Sequence, residues 1–244
     1  MHACKNCDTQ CYANFCPNCG QTVNIHRYSL FHIGEEVLHS FTHADKSALV
    51  LLRDIFIRPG KVADDLISGK RKRYFSLFTF FVMVAALYTI AVSSSHYYEI
   101  MNRMTDGKGY ASRSEAMHLM SHHSKLLAFS LIPLSAAACW LLFLKKGLNY
   151  AEHLVFNTII YSGFLLFMTV STQFVRIKPI FVFIIDDVNQ VFFLAYMTLA
   201  LKQLFGQHVL LALLKAIVIR FLQIAVIWLL VIGGLWIYHH LGQR

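Results

Sequence analysis

Polar positions crowd into the first part of the chain and apolar positions into the rest, with the change near Lys70. Beyond that point the apolar runs have the length a bilayer demands, about 20 helical residues for the hydrocarbon core. The first, "YFSLFTFFVMVAALYTIAVSSS", starts after Arg73, and the second, "LLAFSLIPLSAAACWLLFL", holds Pro133 and stops at Lys145 and Lys146. A third opens near Tyr150, where Asn149 followed by Glu152 predicts a capping box, and runs to the neighbourhood of Val175. The fourth follows Pro179, a residue suited to a first helical turn, and ends near Lys202; the fifth runs from near Leu210 to Tyr238. Together they predict a mainly α, polytopic membrane protein with about five transmembrane helices, each judged long enough on the same rule. If the third and fourth form a re-entrant hairpin instead, the count falls to three. No internal repeat stands out.

Shorter periodic stretches precede the spans. "SLFHIGEEVLHSFTH" spaces Leu30, Ile33, Val37, Leu38 and Phe41 as one face of an amphipathic helix. "DKSALVLLRDIFI" predicts another, with Asp45 as its N-cap and Pro59-Gly60 as its stop. Val62, Leu66 and Ile67 then give a short apolar face that Gly69 ends. These helices are too short and too charged to cross, so they are expected to pack on one another or to lie among lipid headgroups. The chain divides accordingly into a cysteine-rich unit (1–24), cytosolic or interfacial amphipathic helices (25–73) and a helical transmembrane domain (74–244).

Composition agrees with this division. Hydrophobic residues make up 57% of the 244 positions, the mean hydropathy is +0.52, and only 14% are charged, against roughly 25% in soluble domains. The net charge of +9 would suit nucleic acid, but ten of the 22 Lys and Arg precede the first span and culminate in Lys70, Arg71, Lys72 and Arg73. A basic string abutting a span reads more simply as an inside-facing orientation signal that also attracts anionic lipid, which disfavours nucleic acid as the partner. Residues 1–20 lack the basic and apolar regions of a signal peptide, so the amino end is expected in the cytosol and the carboxyl end, after five crossings, in the periplasm.

The cysteines supply the clearest chemistry. Cys4 and Cys7 form one C-x2-C pair, Cys16 and Cys19 another. Each pair can bend into a knuckle whose amides point at the sulfurs, and two knuckles offer the four thiolates of a structural zinc ribbon. In "CPNCG", Pro17 sets the turn and Gly20 permits a positive φ after the last ligand. A reducing compartment argues against disulfides. Cys11 lies between the pairs, and an alternative that replaces Cys7 by Cys11 breaks the regular spacing.

Polar residues within the spans raise a second chemistry. "FIIDDVNQVFF" places Asp186, Asp187, Asn189 and Gln190 in the fourth span, where carboxylates suggest ion or proton transfer. The alternative is a wet outer vestibule with Arg176 or Lys178 as partners. Arg220 is expected to snorkel to the inner headgroups. Glu36, His39 and His43 form a weak second metal motif, as do Glu115, His118 and His122. No phosphate-binding, serine-hydrolase or H-E-x-x-H metalloprotease motif occurs, so no enzyme is expected.

The combination of "CPNCGQ" with "RPGKVADDLISGKRKRYFSLFTFF" resembles the bacterial membrane family called domain of unknown function 3667, over roughly the first ninety residues. The resemblance implies the same topology in a bacterial inner membrane and implies no activity. The expectation is therefore a binding or scaffolding module at the cytosolic face, with a protein partner or self-association. The other expectation is a transporter or channel component using Asp186 and Asp187.

Overall fold

The computed structural model describes residues 2–25, 27–30, 46–106 and 124–241. The helix expected between Leu30 and His43, with Glu36 and His39, lies outside the described residues beyond Leu30, as do Glu115, His118 and His122. The fold is mainly helical, with a two-stranded antiparallel ribbon at the amino end, β1 (His2–Ala3) and β2 (Gln10–Cys11). Then follow α1 (Lys46–Ile57), α2 (Pro59–Ser68), α3 (Leu77–Ser95), α4 (Tyr97–Asp106), α5 (Ser124–Leu142), α6 (Tyr150–Ser171), α7 (Phe181–Phe205) and α8 (Val209–Leu241).

Four described helical segments are long and apolar enough to cross a membrane: Leu77–Ser95, Tyr150–Arg176, Phe181–Phe205 and Val209–Leu229. The chain is thus a multi-pass membrane protein by length and composition. Apolar from Ser130 to Leu142, α5 packs beside them as the fifth helix of the expected set. Their outward faces carry exposed Met83, Leu87, Ile90, Val191, Leu214, Phe221 and Leu229. A surface of that kind suits lipid, because hydrocarbon replaces water as the solvent of the outer face.

Helix α6 is the centre of the bundle, walled by α3, α5 and α7, with nearly every side chain from Ala151 to Leu165 buried. Its Ser and Thr residues tolerate that burial because their hydroxyls return to the helix: Thr158 donates to the Leu154 carbonyl and Ser162 to that of Thr158, both at 2.8 Å. The expected capping box starts it, with Asn149 Oδ1 accepting from the Glu152 amide at 2.8 Å and Glu152 Oε2 accepting from the Asn149 amide at 2.9 Å.

Contacts at the two ends fix the direction of each helix. At one end Phe143, after α5, stacks at 3.9 Å on Phe205 of α7, and His153 of α6 lies against both rings. At the other, Gln173 beyond α6 donates to the Ala91 carbonyl of α3 at 2.9 Å, and Ser171 donates to Asn189 of α7 at 3.0 Å. Thus α3, α6 and α8 run away from the ribbon end while α5 and α7 return to it. Each of α6 and α7 runs between the two ends and is long and apolar enough for a crossing of its own.

The short helices α1 and α2 close the ribbon end. Leu51, Ile55, Val62 and Ala63 are fully buried, and the Ile55 carbonyl accepts the Tyr196 hydroxyl at 2.7 Å. Pro59-Gly60 does more than stop α1, because Pro59 is also the first residue of α2. Gly60 lets α2 touch the backbone of α7, since a Cβ there would lie 2.3 Å from the Ala200 carbonyl oxygen. Gly69 ends α2 at φ +100°, as its place after the apolar face predicts.

Candidate metal centre and polar layer

Each C-x2-C pair sits in a tight turn built by the same bonds. Cys4 N–H donates to the Thr9 carbonyl at 2.9 Å and Cys16 N–H to that of Gln21 at 2.8 Å. Asp8 N–H donates to the Cys4 carbonyl and Gly20 N–H to that of Cys16, each at 2.9 Å. Every residue of the first turn has its counterpart twelve positions on, so the ribbon is an internal repeat, contrary to the sequence reading. Composition hid it: only the cysteines and the asparagine between them, Asn6 and Asn18, are common to the two turns, and the positive φ that Gly20 supplies at +69° falls on Asp8 at +59° in the other. Asp tolerates the left-handed region better than most residues.

The two knuckles bring the sulfurs of Cys4, Cys7, Cys16 and Cys19 within 4.8 Å of one another, a set that could hold one metal ion. Cys4 Sγ lies 3.6 Å from Cys19 Sγ, and Cys7 Sγ 3.6 Å from Cys16 Sγ. The Thr9 hydroxyl and amide draw the Cys7 thiol down to about 6. Amides of Cys19 and Asn18 lower Cys16, while burial and the neighbouring thiols push Cys11 up to about 11. Cys11 stands outside the set and donates to the Thr9 carbonyl at 3.3 Å. The alternative ligand set with Cys11 in place of Cys7 therefore does not match the four sulfurs that converge.

Gln21, directly after the second knuckle, ties the ribbon to the bundle. Its side chain is 5% exposed; Nε2 donates to the Gly69 carbonyl at 2.9 Å, and Oε1 accepts the amides of Arg71 and Lys72 at 3.1 and 3.0 Å. Nothing in the sequence marks this bond beyond the letter Q after "CPNCG". Arg27, after the ribbon, grips Glu152 of α6 with Nε and Nη2 at 2.8 and 2.6 Å.

The basic segment is largely engaged within the protein. Lys70 pairs with Asp65 at 3.2 Å, Arg73 with Asp54 at 3.6 Å, and the Arg71 guanidinium stacks 3.8 Å over the Tyr28 ring. Lys72 is exposed. Asp54 also binds Arg58, and the Tyr74 hydroxyl donates to Asp65 at 3.0 Å. This ionic knot joins α1, α2 and the approach to α3.

Asp186, Asp187, Asn189 and Gln190 face different neighbours. The Tyr97 hydroxyl donates to Asp186 at 3.3 Å, Asp187 is exposed, and Asn189 is buried against Ser171. Gln190 Oε1 accepts Nε and Nη2 of Arg220 at 2.9 and 2.6 Å. Among the described residues no ion pair joins either aspartate to Arg176 or Lys178, which are exposed at the far end. Arg220 does not snorkel: its turn of α8 faces α7, where an amide oxygen and the Phe193 ring, 4.7 Å away, receive the guanidinium. The partners lie thirty residues apart, beyond the reach of any local spacing rule.

Residues 52–89 match the model of a family described as protein of unknown function (DUF3667). The match falls inside the region that carries the resemblance and holds the ionic knot, Gly60 and the start of α3; the cysteines precede it. No curated protein and no solved structure matches the chain.

Proposed function

We propose that the four cysteines bind one structural zinc ion. In this reading the protein is a membrane-anchored binding or scaffolding module whose ribbon faces the cytosol from a bacterial inner membrane. The convergence of four sulfurs carries the reading. Zinc–sulfur bonds of about 2.3 Å place tetrahedral thiolates about 3.8 Å apart, and two of the sulfur pairs stand at 3.6 Å. Four protein ligands leave no open position on the metal, so its work is to fold a segment too small for a core of its own and not to catalyse. Free thiols fit a reducing compartment. Lys70, Arg71, Lys72, Arg73, Lys145 and Lys146 at the ribbon end fit the positive-inside rule. The carboxyl end then lies in the periplasm, and exposed Lys72, Lys145 and Lys146, none in a salt bridge among the described residues, are the basic residues best presented to anionic lipid.

Tyr12 and Phe15, 77% and 60% exposed on the ribbon, are the aromatic anchors such a module would present to a protein partner or a second copy. The test places a photo-crosslinking residue at Tyr12 or Phe15 in cells. One discrete adduct is expected at each position, lost when Cys16 and Cys19 become serine although the protein still reaches the membrane. Diffuse labelling, or an adduct indifferent to the serines, would sink the scaffold reading.

Transport is the second reading, favoured by the hydrogen bond from Tyr97 to Asp186 at the far end of the bundle. It requires that Asp186→Asn with Asp187→Asn abolish function at normal expression. The scaffold reading expects little effect from that pair.

A further inference from the structure

The middle of the bundle holds a polar layer that the ribbon does not need. Arg220 stands eleven residues into α8, about 17 Å along its axis at 1.5 Å per residue. Beyond its two bonds to Gln190, its Nη1 donates to Gln223 Oε1 at 3.3 Å. Gln223 Nε2 donates to Ser135 Oγ of α5 at 2.8 Å, Ser135 donates to Asn157 Oδ1 of α6, and Asn157 Nδ2 ends on the His153 carbonyl at 2.8 Å. Ser135, Asn157 and Gln223 are completely buried. Four helices thus meet in one chain of donors that starts at a cation.

Two observations show that the chain lacks a partner. The first is charge: among the described residues no carboxylate lies within ion-pair distance of Arg220, and Asp186, one turn before Gln190 and bonded to Tyr97, attracts it only from beyond that distance. Neutral amides soften a buried charge without cancelling it, and an intramembrane cation by default marks a site. The second is the Tyr161 hydroxyl, buried beside Ser135 and Arg220 without a well-formed hydrogen bond among the described residues. A guanidinium has five N–H groups. Three are bonded here, which leaves one on each of Nη1 and Nη2 to donate to an oxyanion.

Partly exposed Arg220 opens between apolar neighbours, with Ile217, Phe221 and Ile224 on α8 and Val188 and Val191 on α7 all exposed. Water-soluble anions have no route across such a rim, whereas a lipid-borne one does. We propose that Arg220, with Gln190, Gln223 and Tyr161, binds the oxyanion of an amphiphile of net negative charge, a carboxylate or a phosphodiester whose headgroup carries no cation, that enters sideways from the bilayer. The site is independent of the ribbon.

Trp228, two turns beyond Arg220 on α8, and Trp140 on α5 supply the readout. The full chain in phosphatidylcholine nanodiscs is titrated with brominated oleate, brominated phosphatidylglycerol or, as the annular baseline, brominated phosphatidylcholine. At least one anionic probe should quench tryptophan saturably beyond that baseline. Oleate alone would identify a carboxylate, phosphatidylglycerol alone a phosphodiester, and both an oxyanion site indifferent to its carrier. Arg220→Gln should raise the half-saturation at least tenfold, Arg220→Lys should restore part of the affinity, and Tyr161→Phe should raise it severalfold. Quenching no greater than the baseline would overturn the proposal, as would unchanged half-saturation in Arg220→Gln. Where that variant fails to fold, Tyr161→Phe decides, because it removes one hydroxyl and keeps the ring; unchanged quenching there overturns the proposal.

Discussion

Gln21 belongs to the second knuckle through its backbone and to the basic segment through its side chain. The geometry of the knuckle therefore reaches the residues that lead into α3. Gln21→Ala removes three hydrogen bonds, each contributing about 1 kcal/mol. The amides of Arg71 and Lys72 should then exchange with solvent at least tenfold faster while the metal content stays the same; unchanged exchange would disprove the clamp. Asp54 gives a pH-dependent counterpart. Burial pushes its carboxyl up, but Arg58, Arg73 and the Tyr74 hydroxyl outweigh it and hold Asp54 below the ordinary value, which is about 3.9 unfolded. A depressed carboxyl contributes stability that is whole above the unfolded value and lost as pH falls through the folded one. Asp54→Asn should cost roughly 1.5–3 kcal/mol at pH 7 and flatten the fall in thermal stability below about pH 4. An equally steep fall in the variant would show that other carboxyls govern the acid response.

At the scale of elements, what the sequence made legible was local. The paired cysteines, the capping box at Asn149 and Glu152, the αL stop at Gly69 and the apolar runs depend on residues a few positions apart, and each is where its spacing predicts. Contacts between elements left little trace. The Arg27 bond to Glu152 spans 125 residues and that of Gly60 to Gln203 spans 143, and neither pairing follows from a periodic pattern. Gly60 looked like turn punctuation, yet its lack of a Cβ matters because α2 lies against the backbone of α7. Gly60→Ala should destabilise the detergent-solubilised protein by roughly 1–3 kcal/mol, the usual cost of overpacking. Gly233, with nothing within 4 Å of an added Cβ, is the control: its change to alanine should not lower the melting temperature. Equal effects at the two sites would argue that α2 does not dock as described.

The molecule as a whole combines two ways of stabilising a fold. Its bundle buries apolar side chains around α6 and turns an apolar surface outward, so lipid completes it. The ribbon has no such core, and its buried residues are chiefly the cysteines themselves. Its four converging cysteines could hold a metal in place of a core, and Gln21 clamps the ribbon to the bundle. Sequence alone divided these parts at residues 24 and 73; the side chains of Gln21 and Arg27 join across both boundaries. Metal analysis with X-ray absorption on the detergent-purified full chain tests the metal centre most directly. One zinc per chain with four sulfur neighbours at about 2.3 Å, abolished in a Cys16→Ser, Cys19→Ser variant that keeps its helical bundle, is the predicted result. A chain without bound metal, or zinc that survives loss of both cysteines, would contradict it.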